Sequence, residues 1–329
     1  MHPRVWRWVL GAAVLAAAMS ACEEPFGLSL PPEPALERGA GETLGPSASF
    51  EMTGVYATGT TRQHIDLQVA PAGEHVTVSS SAGSVEGLIV GKVGYFRGHD
   101  FLTRHMGTDP LSQSVVNAAG NAWWKGSVGL APQLPDLTDG ATFRATFLGS
   151  AATRRTDHVA VQGIPAVELS GQRADVYISA IQPYRLLRVV LKPGVEIDGV
   201  TDADLEYSNA GRDFGIAAPA DVIDFSNLST LPPIYTVVSV DTSGCASAAQ
   251  CEVSAQLKNL GGATGAKSRS TVLFEMHDAA TNQLLGSCTA TVFNDVGYNA
   301  VTTASCTLSA QAANAATVTA TVTNPGRAS

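Results

Sequence analysis

The chain has 329 residues, 45% of them hydrophobic, and carries 20 Lys and Arg against 29 Asp and Glu for a net charge of −9. That is apolar enough for packed domains, and the length suits two of them. Basic residues are neither abundant nor clustered, which leaves no electrostatic footprint for nucleic acid, and the acidic balance argues against adhesion to an anionic membrane through the protein surface.

Residues 1–22 read as a targeting segment. His2, Arg4 and Arg7 form a basic start, and Val9 to Met19 is an uncharged apolar run too short to span a bilayer comfortably. The end of the segment, Met19-Ser20-Ala21-Cys22, resembles the bacterial lipobox. That resemblance implies acylation of the Cys22 thiol and cleavage before it. The expected address is the bacterial cell envelope, with the protein lipid-anchored on the outer side of the cytoplasmic membrane. Residues 23–46 carry five prolines, several glycines and five glutamates, and read as a flexible Pro/Gly/Glu tether.

From Ser47 to Phe101 the pattern is that of strands. Phe50 and Met52 alternate with polar neighbours, and Ile65, Leu67 and Val69 alternate against Asp66 and Gln68. Frequent glycines between Gly54 and Gly98 predict turns, bulges and curvature. Asp109 and Pro110 then open a predicted helix that ends at Gly120. Trp123 and Trp124 come next, and either close the core or rim an apolar cavity. Leu137 to Leu148 holds a further short helix or strand.

The stretch Asp157 to Leu191 is the clearest strand set. Val159 and Val161, Val167 and Leu169, and Val176 and Ile178 each alternate, and Gly163-Ile164-Pro165 and Ser170-Gly171-Gln172 break the runs where turns are needed. A fourth run, Leu186 to Leu191, is apolar apart from Arg188.

These pieces carry a resemblance. It consists of the Ser49-Phe50-x-Met52-x-Gly54 start, the Gly91–Phe101 run GKVGYFRGHDF, a helical insertion with a Trp-Lys step, Arg185-Leu186-Leu187-Arg188, and a closing Pro219-Ala220-Asp221-Val222. Together they resemble the LolA/LolB lipoprotein-carrier superfamily, and within it the actinobacterial lipoprotein branch typified by LppX and LprG. The resemblance covers residues 47–228. It implies a curved antiparallel half-barrel with a few helices, enclosing an apolar cavity for acyl chains. The cavity candidates are Ile65, Leu67, Val69, Val176, Ile178, Trp123 and Trp124.

Leu228 to Pro233 reads as a linker, and residues 234–325 hold six strand-like runs at near-regular spacing, the pattern of a small β-sandwich. The runs CEVSAQLKNLGG and STVLFEMHDAATNQLLGSC resemble immunoglobulin-like modules of the FxLYD or CARDB kind, which are scaffolds. Such a module would offer a docking surface for an envelope protein partner. Apart from Cys22 the chain has four cysteines, all in this region, and an exported protein would pair them. A hairpin centred on Gly297 would set Cys288 opposite Cys306, leaving Cys245 to close a tight loop with Cys251.

No catalytic, cofactor-binding or metal-binding signature emerges. His99-Asp100 and the Asp198, Asp202, Asp204 loop fit exposed strand ends and solvated loops better than metal sites. The fold expectation is mainly β, a half-barrel followed by a sandwich. The functional expectation is a non-enzymatic lipid or acyl-chain binder without cofactor; the alternative is an interaction or structural lipoprotein with a filled first-domain core.

Overall fold

The computed structural model describes residues 30–245, 250–309 and 316–327. The targeting segment, Cys22 and the first part of the expected tether therefore lie outside the described residues. Among the described residues no helix is long and apolar enough to cross a membrane.

The remainder of the expected tether is a helix, α1 (Glu33–Thr43), which corrects that reading. Leu36, Ala40 and Leu44 recur four residues apart and are buried, which is the spacing of one helical face. Proline in the first turn takes the place of an N–H that has no intrahelical partner, so it does not oppose the helix. Gly39 lies on the contact face, where an added Cβ would come within 2.5 Å of the carbonyl oxygens of Pro183 and Tyr184. Thr43 completes the docking: its Oγ1 donates to the Gly39 carbonyl and accepts the backbone N–H of Leu186 at 3.1 Å.

Next come β1 (Phe50–Thr58), β2 (Thr61–Ala70), β3 (Gly73–Ser80), β4 (Gly83–Val90) and β5 (Val93–Arg97), a meander of neighbouring strands. The helices α2 (His99–Met106) and α3 (Pro110–Ala119) precede β6 (Trp123–Gly126). The Asp109 carboxylate caps α3 by accepting from Leu111 and Ser112 N–H. Two further helices, α4 (Pro135–Thr138) and α5 (Gly140–Phe147), fall where a helix or strand was expected, and Asp139 caps α5 in the same way. The second strand set is β7 (Ala152–Val161), β8 (Ile164–Gly171), β9 (Ala174–Ser179), β10 (Leu186–Leu191), β11 (Thr201–Ser208) and the short β12 (Val222–Ile223).

These twelve strands form one sheet in the order β12-β6-β5-β4-β3-β2-β1-β11-β10-β9-β8-β7. Every pairing is antiparallel except β12 with β6. The two strand sets meet where β1 pairs with β11, and Gly54 makes that approach possible. Its φ is +153°, and an added Cβ would lie 2.1 Å from the Asp204 carbonyl oxygen. One continuous core joins a single face of this sheet to the helices, from Phe96 and Trp124 near one edge to Val167 and Leu169 near the other.

The second domain contains β13 (Tyr235–Gly244), β14 (Cys251–Asn259), β15 (Thr271–Asp278), β16 (Leu284–Thr291), β17 (Val301–Leu308) and β18 (Ala316–Thr323). They form two three-stranded sheets, β13-β14-β17 and β16-β15-β18, around a separate core built on Tyr235, Val253, Leu257, Phe274 and Met276. The structure joins Cys245 to Cys251 and Cys288 to Cys306. The expected hairpin between the latter two is corrected, however. Cys288 lies opposite Phe274 in one sheet and Cys306 opposite Val253 in the other, so the bond crosses between the sheets. β16 and β17 are edge strands of the two different sheets, each paired on one side only, to β15 and β14.

The expected linker is also part of the structure. Leu231 and Ile234 are buried in the first core and Tyr235 in the second, so the junction is packed and not a free spacer.

Candidate functional site

The alternation of β2 and β9 puts Ile65, Leu67, Val176 and Ile178 in the one core shared by sheet and helices. Their exposures are 0%, 6%, 0% and 0%, so they are packed solid. Val69 is partly buried against the same core. The two tryptophans part company, because neighbours on a strand face opposite ways. Trp124 is buried among Phe96, Phe101, His105 and Phe225. Trp123 lies on the other face, with the Arg97 guanidinium 4.7 Å over its ring. None of these seven residues borders any of the four main clefts, which corrects the expectation that they line a cavity. Helices α1, α3 and α5 supply Leu36, Val116 and Phe143 to the interior that the sequence reading left empty.

The same face does open to solvent further along. In register, Ile65 of β2 pairs with Val78 of β3, and Val78 with Val85 of β4. This row leaves the core and enters a cleft of about 480 Å³. Its apolar walls are Val78 and Val85 on the sheet, Phe101 on α2, and Leu130 and Leu134 on the segment before α4, and Gln63, Gln133 and Asp198 add polar groups. Tyr56 closes one side; its hydroxyl donates to Gln63 Oε1 at 2.8 Å, and burial pushes its pKa up to about 12. Arg104 at the rim is committed to the Ala82 carbonyl at 2.7 Å. The floor is aromatic, with Phe101 stacked on Trp124 at 6.2 Å between centroids. Behind it the Trp124 indole N–H is buried with no hydrogen-bond acceptor among the described residues. Such an orphan donor costs about 1–3 kcal/mol.

Sequence reasoning missed this cleft because three of its walls come from outside regular strands. The only legible signal was that Val78 and Val85 alternate in step with Ile65 once β2, β3 and β4 are taken as successive hairpins.

The polar groups singled out in the sequence stay apart. His99 and Asp100 sit at the start of α2, both exposed, with Nδ1 and Oδ1 3.5 Å apart. The Asp198 carboxylate accepts the Asp136 N–H at 2.8 Å, and burial raises its pKa. Asp204 is held by the Arg188 guanidinium at 2.7 and 2.6 Å. Among the described residues no group of three or more His, Cys, Asp and Glu gathers in a metal-binding arrangement.

No protein-family model and no curated protein sequence matches this chain.

Proposed function

We propose that this protein is a membrane-anchored envelope lipoprotein whose first domain binds a lipid or acyl chain, without enzymatic chemistry. In this reading the twelve-stranded sheet is an open half-barrel of the LolA kind, and Cys22 carries the anchor. The observation that supports it is the row Ile65–Val78–Val85, which runs from the packed core into an open cleft whose other walls mix apolar side chains with polar ones such as Gln63, Gln133 and Asp198. An alkyl chain laid along that row gains about 0.8 kcal/mol per buried methylene, so binding needs no charged residue.

The second reading is an interaction or structural lipoprotein that docks through its C-terminal domain. Two observations favour it: the filled core beneath the expected cavity residues, and the exposure of Leu284, Phe293, Tyr298 and Val301 on the sandwich. Mass spectrometry of organic extracts from the purified, unlipidated protein separates the two. A stoichiometric co-purifying lipid supports the first reading. A clean extract from protein purified without detergent supports the second.

A further inference from the structure

At the opposite end of the sheet two clefts meet at Arg185, in the turn between β9 and β10. One, of about 440 Å³, lies under the β7–β8 hairpin, whose tip folds back over the sheet. Gln162, at φ +50°, lets the tip turn, and its Nε2 donates to Glu206 Oε2 of β11 at 2.5 Å. Val161, Ile164, Ile181 and Leu187 line this cleft. Ile164 and Ile181 are 41% and 46% exposed there, although large aliphatic side chains favour burial.

The adjoining cleft, of about 600 Å³, runs between the end of α1 and the loop after β11. Glu42, Arg185, Arg212 and Asp213 border it, two residues of each charge; Asp213 Oδ1 also accepts the Gly215 N–H at 2.9 Å, and Arg212 stands in the field of Glu51. Neither arginine side chain has a hydrogen-bonding or ion-pairing partner among the described residues, and Arg212 rests 5.9 Å from the Phe214 ring. The carboxylate of Glu206, which borders the apolar cleft, is already met by Gln162 and stands in the field of Arg188.

We propose that these joined clefts bind a single-chain amphiphile with a zwitterionic head group. The alkyl chain lies on Ile164, Ile181, Val161 and Leu187. The anionic part, a phosphate or its equivalent, takes the Arg185 guanidinium, a planar donor suited to such oxygens. The cationic part faces Glu42 and Asp213. A purely anionic head would meet two carboxylates and a purely cationic head two guanidiniums; only a head with both signs uses all four groups. Each cleft falls in the size range of small-molecule sites, roughly 300–1,000 Å³. This site shares no residue with the cleft lined by Val78 and Val85, and stands whichever reading of the function holds.

The test is calorimetric titration of the full chain with three dodecyl compounds below their micelle concentrations: dodecylphosphocholine, dodecyl phosphate and dodecyl maltoside. The expected result is that the phosphocholine binds at least about tenfold tighter than the other two. Arg185→Gln should remove that preference, and Ile181→Glu should lower the phosphocholine affinity to that of the other two compounds. Both residues are exposed, so the variants should melt with the parent, and a thermal scan checks this. Val85→Glu, in the other cleft, should leave the phosphocholine affinity unchanged. Equal affinity of the parent for the three compounds, no binding at all, or a preference for the phosphocholine that survives Ile181→Glu would overturn the proposal. So would loss of binding in Val85→Glu alone.

Discussion

The Asn259 side chain accepts the backbone N–H of Ile234 at 2.9 Å, and so ties the end of the first domain to the end of β14 in the second. The same amide accepts from Gly261 N–H at 2.9 Å and donates to the carbonyls of Gly262 at 2.8 Å and Val296 at 2.5 Å, with Asn259 itself at zero exposure. Replacement by alanine would strand four backbone groups. Asn259→Ala should therefore lower stability by about 3 kcal/mol, at 1–3 kcal/mol per unpaired group with partial relaxation. Chemical denaturation checks the figure, and a change under about 0.5 kcal/mol would mean that the junction is not built this way.

The Cys288–Cys306 bond makes a distinct prediction because it joins two sheets. Replacing both cysteines by serine should cost the second domain about 2–3 kcal/mol by loop entropy. The first domain, with its own core, should keep its melting transition. Non-reducing peptide mapping checks the pairing directly, and a Cys245–Cys288 or Cys245–Cys306 peptide would contradict it.

Glu86 gives a pH signature. Burial by itself would raise its pKa, but hydrogen bonds and charge from Arg97 at 2.6 Å and His75 at 2.9 Å outweigh that and hold it below the ordinary value of 4.5. A carboxyl depressed in the folded state contributes stability above its unfolded-state pKa and loses it as pH falls through the folded value. The stability difference between parent and Glu86→Gln should therefore shrink once pH drops below about 4.5. Urea unfolding at a series of pH values measures it. A difference that keeps growing below about pH 4.5 has the wrong sign for this account.

The anchor is tested by fractionation. If Cys22 is acylated as proposed, Cys22→Ser should move the protein from the membrane to the soluble fraction, since acyl chains on that thiol would supply the membrane affinity. Unchanged membrane association of the serine variant would contradict acylation at that residue.

Strand positions were legible because period-two alternation survives in a half-buried sheet: Val167, Leu169, Val176 and Ile178 all point inward as their neighbours predict. Helix α3 was legible from its Asp109-Pro110 start. Helix α1 was not, because Pro34, Gly39 and Gly41 interrupt its sequence while only Leu36, Ala40 and Leu44 carry its face. The pairing of β1 with β11 joins residues about 150 positions apart, and no local pattern encodes such a contact. The cysteine pairs were found through a hairpin that does not exist, because spacing alone cannot distinguish strands opposed within one sheet from strands opposed across a sandwich. The candidate site fared worst. Alternation identifies which side chains turn inward but not what they meet; here they meet Leu36, Val116 and Phe143 of the helices, and the open cleft is built from α2 and the 130–134 and 198–200 segments instead.

Titration of the unlipidated protein with a fluorescent fatty acid, in parallel with Val85→Glu, tests the central claim most directly. The account predicts saturable binding to the parent and loss of about tenfold or more in affinity in the variant, because a carboxylate in the apolar row must be desolvated without a partner. Folded parent protein that shows no saturable binding, or binding untouched by Val85→Glu, would contradict it.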